Sequence, residues 1–274
     1  MSNCFHFDIG LALFLHEKNI PVSVVNPLQV KHFAKAIASK TKTDAKDAQL
    51  LSLFGEKCSD LLQPFQPPPL FVQELKSLRT ILIQHKKQHT AFKNNLHAFK
   101  HRPNVDPVAL QSLQNTLQFL KTQIKTLENQ IYTIITQHCK EMYQNILTIN
   151  GIGKTAAAEL IIIFTLFQPF QNAKQCAAYI GLNPKTHQSG TSVKQKATLS
   201  KAGAKNTRTV LYLASLSAVK YNQSCKELNQ RMLANGKSNK ESLTAVAHKL
   251  LRQAFAIAKS NKPFSNFYPQ KLVA

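Results

Sequence analysis

Between Leu110 and Ile134 the chain reads LQSLQNTLQFLKTQIKTLENQIYTI, and Leu110, Leu113, Leu117, Leu120, Ile124, Leu127, Ile131 and Ile134 recur at alternating spacings of three and four. Sustained over several heptads, that repeat lays one apolar seam along a helix and is the pattern of a coiled coil. Upstream, Phe71, Leu75, Leu78 and Leu82 step in the same way, and Phe92, Leu96 and Phe99 resume the pattern. His101-Arg-Pro-Asn-Val-Asp-Pro107 interrupts it with residues that break a helix. Two seamed helices joined by a short breaker fold back as an antiparallel coiled-coil hairpin over 70–140, each arm about 45 Å long. His85 and His89 fall on the seam of the first arm. A polar or partner-facing stretch of the seam accounts for them better than a metal site.

On the N-terminal side, the Pro-rich segment 63–69 marks a boundary. Before it, residues 6–18 read as a helix with Phe7, Leu11, Phe14 and Leu15 on one side, and Pro21-Val-Ser-Val-Val25 reads as a short buried strand ended by Asn26-Pro27. Further helices are predicted from about Val30 to Ala38 and from Asp44 to about Phe54. One strand cannot make a sheet, so 1–62 reads as an incomplete α/β lobe. On the C-terminal side, 141–258 is predicted to be helical with tight glycine turns. Residues 259–274, rich in Asn, Pro and Phe, are predicted to be irregular. The expected fold class is mainly α with a partial α/β lobe.

The chain carries 35 Lys and Arg against 13 Asp and Glu, a formal net charge of +22. Solubility asks for a net charge of only about 2 to 8 in a small domain. The excess points to a polyanionic partner, whose phosphates bind cations with release of condensed counterions. Basic residues run from Lys31 to Lys271, which predicts several nucleic-acid contacts along the fold and not a single charged tail. The five cysteines, Cys4, Cys58, Cys139, Cys176 and Cys225, are far apart and lack a C-x-x-C pair, so they read as reduced, packed thiols. The early apolar run Ile9–Leu15 is far short of the roughly 20 residues of a membrane span. With nothing resembling a cleaved leader, the expected location is cytoplasmic, with no membrane partner.

Three constellations can carry chemistry. Gly151-Ile-Gly153-Lys154 stands at the entrance to an Ala-rich helix and resembles a helix-hairpin-helix turn. There glycine permits close approach, free N–H groups at the helix start bind a backbone phosphate, and Lys154 adds charge. A plain interhelical turn has the same sequence appearance. Asp44 and Asp47, three residues apart, share one helical face and offer hard oxygen ligands of the kind Mg²⁺ takes. An exposed first turn in which Asp favours the helix dipole reads identically. Finally, Gly190 to Arg208 mixes hydroxyls and glycines with Lys194, Lys196, Lys201, Lys205 and Arg208, a composition suited to phosphate binding. Ser200 within it reads as a nucleophile activated by cations, as a phosphate ligand, or as the cap of the helix starting near Lys205.

In order along the chain, Val24-Val-Asn-Pro27, Phe33-Ala-Lys35, Lys42-Thr-Asp-x-x-Asp-Ala48, the coiled-coil insertion, Gly151-Ile-Gly153, Ala178-Tyr-Ile-Gly-Leu-Asn-Pro184 and Ser200-Lys-x-Gly203 resemble the insertion-sequence-110/116/902 transposase family. The resemblance implies a RuvC-like (RNase H fold) DEDD lobe, a helix-hairpin-helix-containing serine domain, and strand cleavage and transfer on DNA directed by a guide RNA. It implies that Asp44 and Asp47 are the last two acids of a Mg²⁺ site and that Ser200 is the catalytic serine.

In the family, an early strand carries the first Asp, and a Glu precedes a small-residue turn that corresponds here to Met1–Phe5. Asp8 and Glu17 do not match those positions. The resemblance therefore implies an N-terminally truncated copy whose two remaining carboxylates hold Mg²⁺ weakly, with reduced or absent catalysis. A non-catalytic nucleic-acid-binding remnant that associates with intact transposase fits the charge and the coil equally well. A helix-hairpin-helix repair factor fits less well, because it explains neither the Ser200 segment nor the paired aspartates. The long coil predicts a homo-oligomer.

Overall fold

The computed structural model describes residues 5–37, 43–166, 170–185, 188–189, 193–194, 198–200 and 203–265. The chain divides into two compact units, Met1–Pro69 and Leu70–Ala274. Mainly helical structure, as expected, fills both.

The first unit comprises α1 (Phe5–Glu17), α2 (Pro27–Ala36), α3 (Asp44–Lys57) and a 3₁₀ turn at Ser59–Leu61. Asn26-Pro27, read from sequence as a terminator, is in fact a start. The Asn26 side chain accepts from the Leu28 N–H, and Pro27 occupies the first turn, where its missing N–H is harmless. The strand expected over Pro21–Val25 does not form. That stretch receives one backbone hydrogen bond, from the Phe65 N–H to the Val22 carbonyl (2.7 Å), and the Ser23 hydroxyl donates to the Gln63 carbonyl. Without a ladder, β-branched residues alone do not make a strand. Thus no sheet is present among the described residues of this unit, and the α/β part of the expected class is not seen there. Phe54 is buried, with Phe33 edge-on to it at 5.4 Å between centroids.

The second unit opens with α4 (Leu70–Lys100) and α5 (Pro107–His138). Asp106 caps α5 by accepting the Val108 N–H at 2.7 Å. The two helices run antiparallel: Phe71 at the start of α4 stacks on His138 at the end of α5 (4.4 Å), and Lys86 pairs with Glu128 at 2.6 Å. There follow α6 (Lys140–Leu147), α7 (Lys154–Leu166), α8 (Ala173–Ile180), four two-residue strands, α9 (Lys205–Tyr221), α10 (Gln223–Ala234) and α11 (Asn239–Ser260). The strands are β1 (Pro184–Lys185), β2 (Gln188–Ser189), β3 (Val193–Lys194) and β4 (Thr198–Leu199), paired antiparallel as β1–β4 and β2–β3.

A continuous core fills this unit. Ile146, Leu160, Ile161, Ile180, Leu211 and Leu250 are fully buried in it, together with Leu75 and Ile135 from the base of the α4–α5 arm. The arm is therefore rooted in the same core as the helices that follow. Beyond α11 the chain leaves the helix at Asn261 (φ +51°) and docks on α6: Asn145 donates to the Asn261 carbonyl at 2.9 Å, and the Phe264 N–H donates to the Thr148 hydroxyl at 2.7 Å. Of the segment expected to be irregular, 266–274 lies outside the described residues. Among the described residues no helix is long and apolar enough to cross a membrane. The described cysteines, Cys58, Cys139, Cys176 and Cys225, are free thiols. Burial pushes Cys176 and Cys225 up to about 12 and about 11, so neither is a thiolate at neutral pH.

Candidate active site

The Ser200 segment is built on the end of α8. Asn172 caps the helix at its start, and Gly181 (φ +78°) ends it in the left-handed conformation that glycine adopts without penalty. The chain then enters β1, whose Pro184 and Lys185 face Leu199 and Thr198 of β4. One residue further, the Ser200 N–H donates to the Asn183 carbonyl at 3.0 Å, fixing the serine backbone beside the β1–β4 pair. Gly203 (φ +73°) lies so close to the Tyr179 carbonyl that a Cβ there would collide with it. Arg208 donates to the Ile180 carbonyl at 2.5 Å, satisfying one of the carbonyls left open at the end of α8. Gly203 and Arg208 thus meet the end of α8, and Ser200 the chain at Asn183 just beyond it.

The capping reading of Ser200 is corrected by this geometry. The α9 cap is Ala204, with no side-chain cap bond, and Ser200 is held by Asn183 instead. Lys205, exposed, and Arg208 lie in the first turn of α9, which contains no acidic residue. Lys194 lies in β3, while Lys196 and Lys201 lie outside the described residues.

Directly behind this segment is a buried charge cluster that the sequence reading missed. Glu159 of α7, 6% exposed, accepts from Arg79 of α4 through both oxygens, at 2.9 Å from Nε and 2.5 Å from the terminal nitrogen. The Thr207 hydroxyl of α9 donates to the same carboxylate at 2.6 Å. Burial alone would raise the Glu159 pKa. The hydrogen bond and charge of Arg79, joined by Thr207 and Asn206, outweigh it and hold the carboxyl below its ordinary range. Tyr179, at the α8 end, is pushed up to about 12, first by burial. The salt bridge therefore ties the arm to α7, and the Thr207 hydrogen bond adds α9, the helix whose first turn follows Ser200. The signal in the sequence was a single acid inside Lys154–Leu166, a helix apolar from Ala156 to Phe164 apart from it; such a carboxylate needs a cationic partner.

The glycine turn lies elsewhere. Gly151 (φ +103°) packs on α9 so tightly that an added Cβ would stand 2.5 Å from the Ala218 Cβ. Gly153 has open space around it, and the exposed Lys154 begins α7, whose first turn holds no acid. Because Glu159 meets Thr207 while Gly151 meets Ala218, α7 and α9 are antiparallel. Ala218 and Lys205 are thirteen residues apart on α9, which separates the Lys154 end from the Ser200 end by about 20 Å.

Asp44 and Asp47 belong to the other unit. Both lie in the first turn of α3, Asp44 exposed and Asp47 half-buried, and Thr43 caps that turn by accepting the Lys46 N–H at 3.3 Å. This placement favours the helix dipole and leaves both carboxylates accessible. Among the described residues no group of three or more His, Cys, Asp or Glu side chains is gathered as a metal site.

Two family models match this chain. The model described as transposase IS116/IS110/IS902 family covers residues 143–230, and a DEDD-type transposase model covers residues 6–99. The pilin gene-inverting protein of Moraxella lacunata is 31% identical over 252 residues, spanning 89% of this chain and 74% of the relative. The pilin gene-inverting protein of Moraxella bovis is 30% identical over the same coverage. An insertion element IS110 protein of Streptomyces coelicolor is 23% identical over 167 residues, 61% of this chain and 40% of the relative. The chain belongs to the IS116/IS110/IS902 transposase family, the DNA recombinases of insertion sequences.

Proposed function

We propose that this protein binds DNA together with a guide RNA and cleaves and rejoins DNA strands, with Ser200 as the nucleophile. The observation that carries the reading is the fixed position of Ser200, held by Asn183 beside β1–β4 and followed by the acid-free, cationic first turn of α9. In the step proposed, the Ser200 oxygen bonds to a backbone phosphorus while the bond from that phosphorus to a deoxyribose oxygen breaks. The serine proton passes to the leaving hydroxyl. The phosphodiester count is unchanged, so reversal by a different hydroxyl rejoins strands without an energy source. Lys205 and Arg208 would hold the reacting phosphate and stabilise its charge, with Lys194, Lys196 and Lys201 as further contacts of the same segment. Gly151, Gly153 and Lys154 hold a second backbone phosphate in the manner of a helix-hairpin-helix turn, about 20 Å away along α9.

DEDD transposase domains in general require a divalent metal. Asp44 and Asp47 fit one in chemistry, since both are carboxylates on one helical face and oxygen donors suit a hard cation such as Mg²⁺. When bound, the ion would supply charge stabilisation at a phosphate. Met1–Pro69 is read as the RuvC-like lobe and α4–α5 as a coiled-coil arm. Exposed Val108, Phe119 and Tyr132 on α5 support self-association through that arm.

A strand-transfer assay on supercoiled DNA with Mg²⁺ and guide RNA tests the proposal. Wild type is expected to give transferred product at a low level, two carboxylates being a weak Mg²⁺ site, and Ser200→Ala to abolish it while still binding DNA. Salt-sensitive binding by wild type with no cleavage would replace this reading with that of a binding protein acting beside an intact transposase.

A further inference from the structure

A basic groove in the second unit is built mainly by α10 and α11 and meets the Gly190–Arg208 segment at Leu199. Helices α10 and α11 flank a cavity of about 1260 Å³ that also includes Pro184 and Leu199, facing residues of the β1–β4 pair. Arg231, Lys237, Lys240, Lys249 and Arg252 line it, with His248 among them. Among the described lining residues the one carboxylate is Glu241, and it is engaged at the start of α11, accepting from the Ser238 N–H and hydroxyl at 3.0 Å each. Lys249 is held by the Ser224 carbonyl at 2.7 Å. Five like charges facing a concavity repel one another unless a polyanion enters it.

The lining is not uniformly polar. Leu182, Leu228, Met232 and Phe255 contribute apolar surface, and Phe255 is braced edge-on by Phe164 at 5.9 Å. Cations combined with an apolar surface match the two parts of a nucleotide, phosphate and base. A duplex hides its bases, so it could use only the cations; an unpaired strand uses both. The volume exceeds the roughly 300–1,000 Å³ of ordinary small-ligand pockets, which favours a run of nucleotides over one small phosphate compound.

We infer that the α10–α11 groove binds a single-stranded polynucleotide, with bases against Leu228, Met232 and Phe255 and phosphates on Arg231, Lys240 and Arg252. The groove reaches Leu199, and Ser200 is the next residue, so a strand lying in it is brought to the serine. That last step rests on the reading of Ser200 as nucleophile; the binding itself does not.

The test is binding of the full chain to a DNA strand of about 12 nucleotides, the same strand as RNA, and a blunt duplex, each between about 50 and 200 mM salt. The triple variant Arg231→Gln, Lys240→Gln, Arg252→Gln alters three exposed side chains, and an unchanged melting curve checks its fold. It is expected to weaken single-strand binding about tenfold or more and to flatten the log-log salt slope by about 2, with a smaller loss on the duplex. Loss on the DNA strand, the RNA strand or both supports the groove and identifies which strand uses it. Unchanged single-strand affinity and slope would overturn the groove while leaving the Ser200 mechanism standing. Equal losses for strand and duplex would reduce it to a generic basic surface. A wild type that binds no nucleic acid would sink both readings.

Discussion

The two compact units bury apolar residues to different extents. In Leu70–Ala274, one cluster joins the base of the α4–α5 arm to α6 through α11, and its largest members are fully enclosed. In Met1–Pro69, the buried hydrophobics among the described side chains are Ala12 and Phe54, while Leu11, Phe14, Leu28 and Leu51 are exposed. Small units with little buried surface are marginally stable and open locally. Ser200 is therefore placed by a closed core, whereas Asp44 and Asp47 stand on a unit with little packing of its own to fix them.

The largest expected effect tests that difference directly. Leu160→Ala leaves a cavity in the second unit and is expected to lower its unfolding free energy by about 3–5 kcal/mol, read as a denaturant midpoint. Phe54→Ala removes a contact from a core that is little more than one aromatic pair. Its expected effect is faster proteolysis and hydrogen exchange within 1–69, with the midpoint of the second unit unchanged. A shift of that midpoint by Phe54→Ala would break the comparison.

Next in size is the tie between arm and helices. Glu159→Gln leaves Arg79 without its counter-charge in a mostly buried position, at an expected cost of about 3 kcal/mol. Because the folded Glu159 is held below its ordinary value of 4.5, it contributes stability that is fully present above that value. The contribution fades as pH falls through the lower folded value. Wild type and variant midpoints should thus differ at pH 7 and converge in acid. A difference that persists unchanged however far the pH falls below 4.5 would show that the loss is one of packing and not of ionisation.

Legibility in the sequence followed the range of the interactions. The α4 and α5 seams were readable because a 3-4 repeat needs only neighbours a turn away, and the residues around Pro107 announce their own helix start. The start of α2 was misplaced because Asn26-Pro27 has the same letters as a terminator, and only the Asn26 bond to the Leu28 N–H decides its role. The strand at Pro21–Val25 failed for want of a pairing partner, a nonlocal fact. Around the candidate site, Ser200 and Arg208 could be singled out by type, but their anchors, Asn183 and the Ile180 carbonyl, are set by a turn at Gly181 and a two-residue β pair with no periodic signature. Arg79 and Glu159 are 80 residues apart in sequence, and nothing in either segment names the other.

The smallest effects separate two glycines that look alike in sequence. Gly151 has φ +103°, and an added Cβ would meet the Ala218 Cβ, Cα and N at 2.5, 2.6 and 2.7 Å. Gly151→Ala is therefore expected to cost about 2 kcal/mol, through backbone strain and displacement of α9. Gly153→Ala meets no atom within 4 Å and should change stability by less than about 0.5 kcal/mol. If the turn also holds a phosphate, the order reverses when binding is measured. Gly153→Ala would then weaken salt-sensitive DNA binding although the fold is unmoved, because a methyl group stands where a phosphate must approach the first N–H groups of α7. Gly153→Ala with unaltered binding would leave Gly151 as a packing glycine and the turn as a connection between α6 and α7, with nucleic-acid contact confined to the Ser200 end of α9.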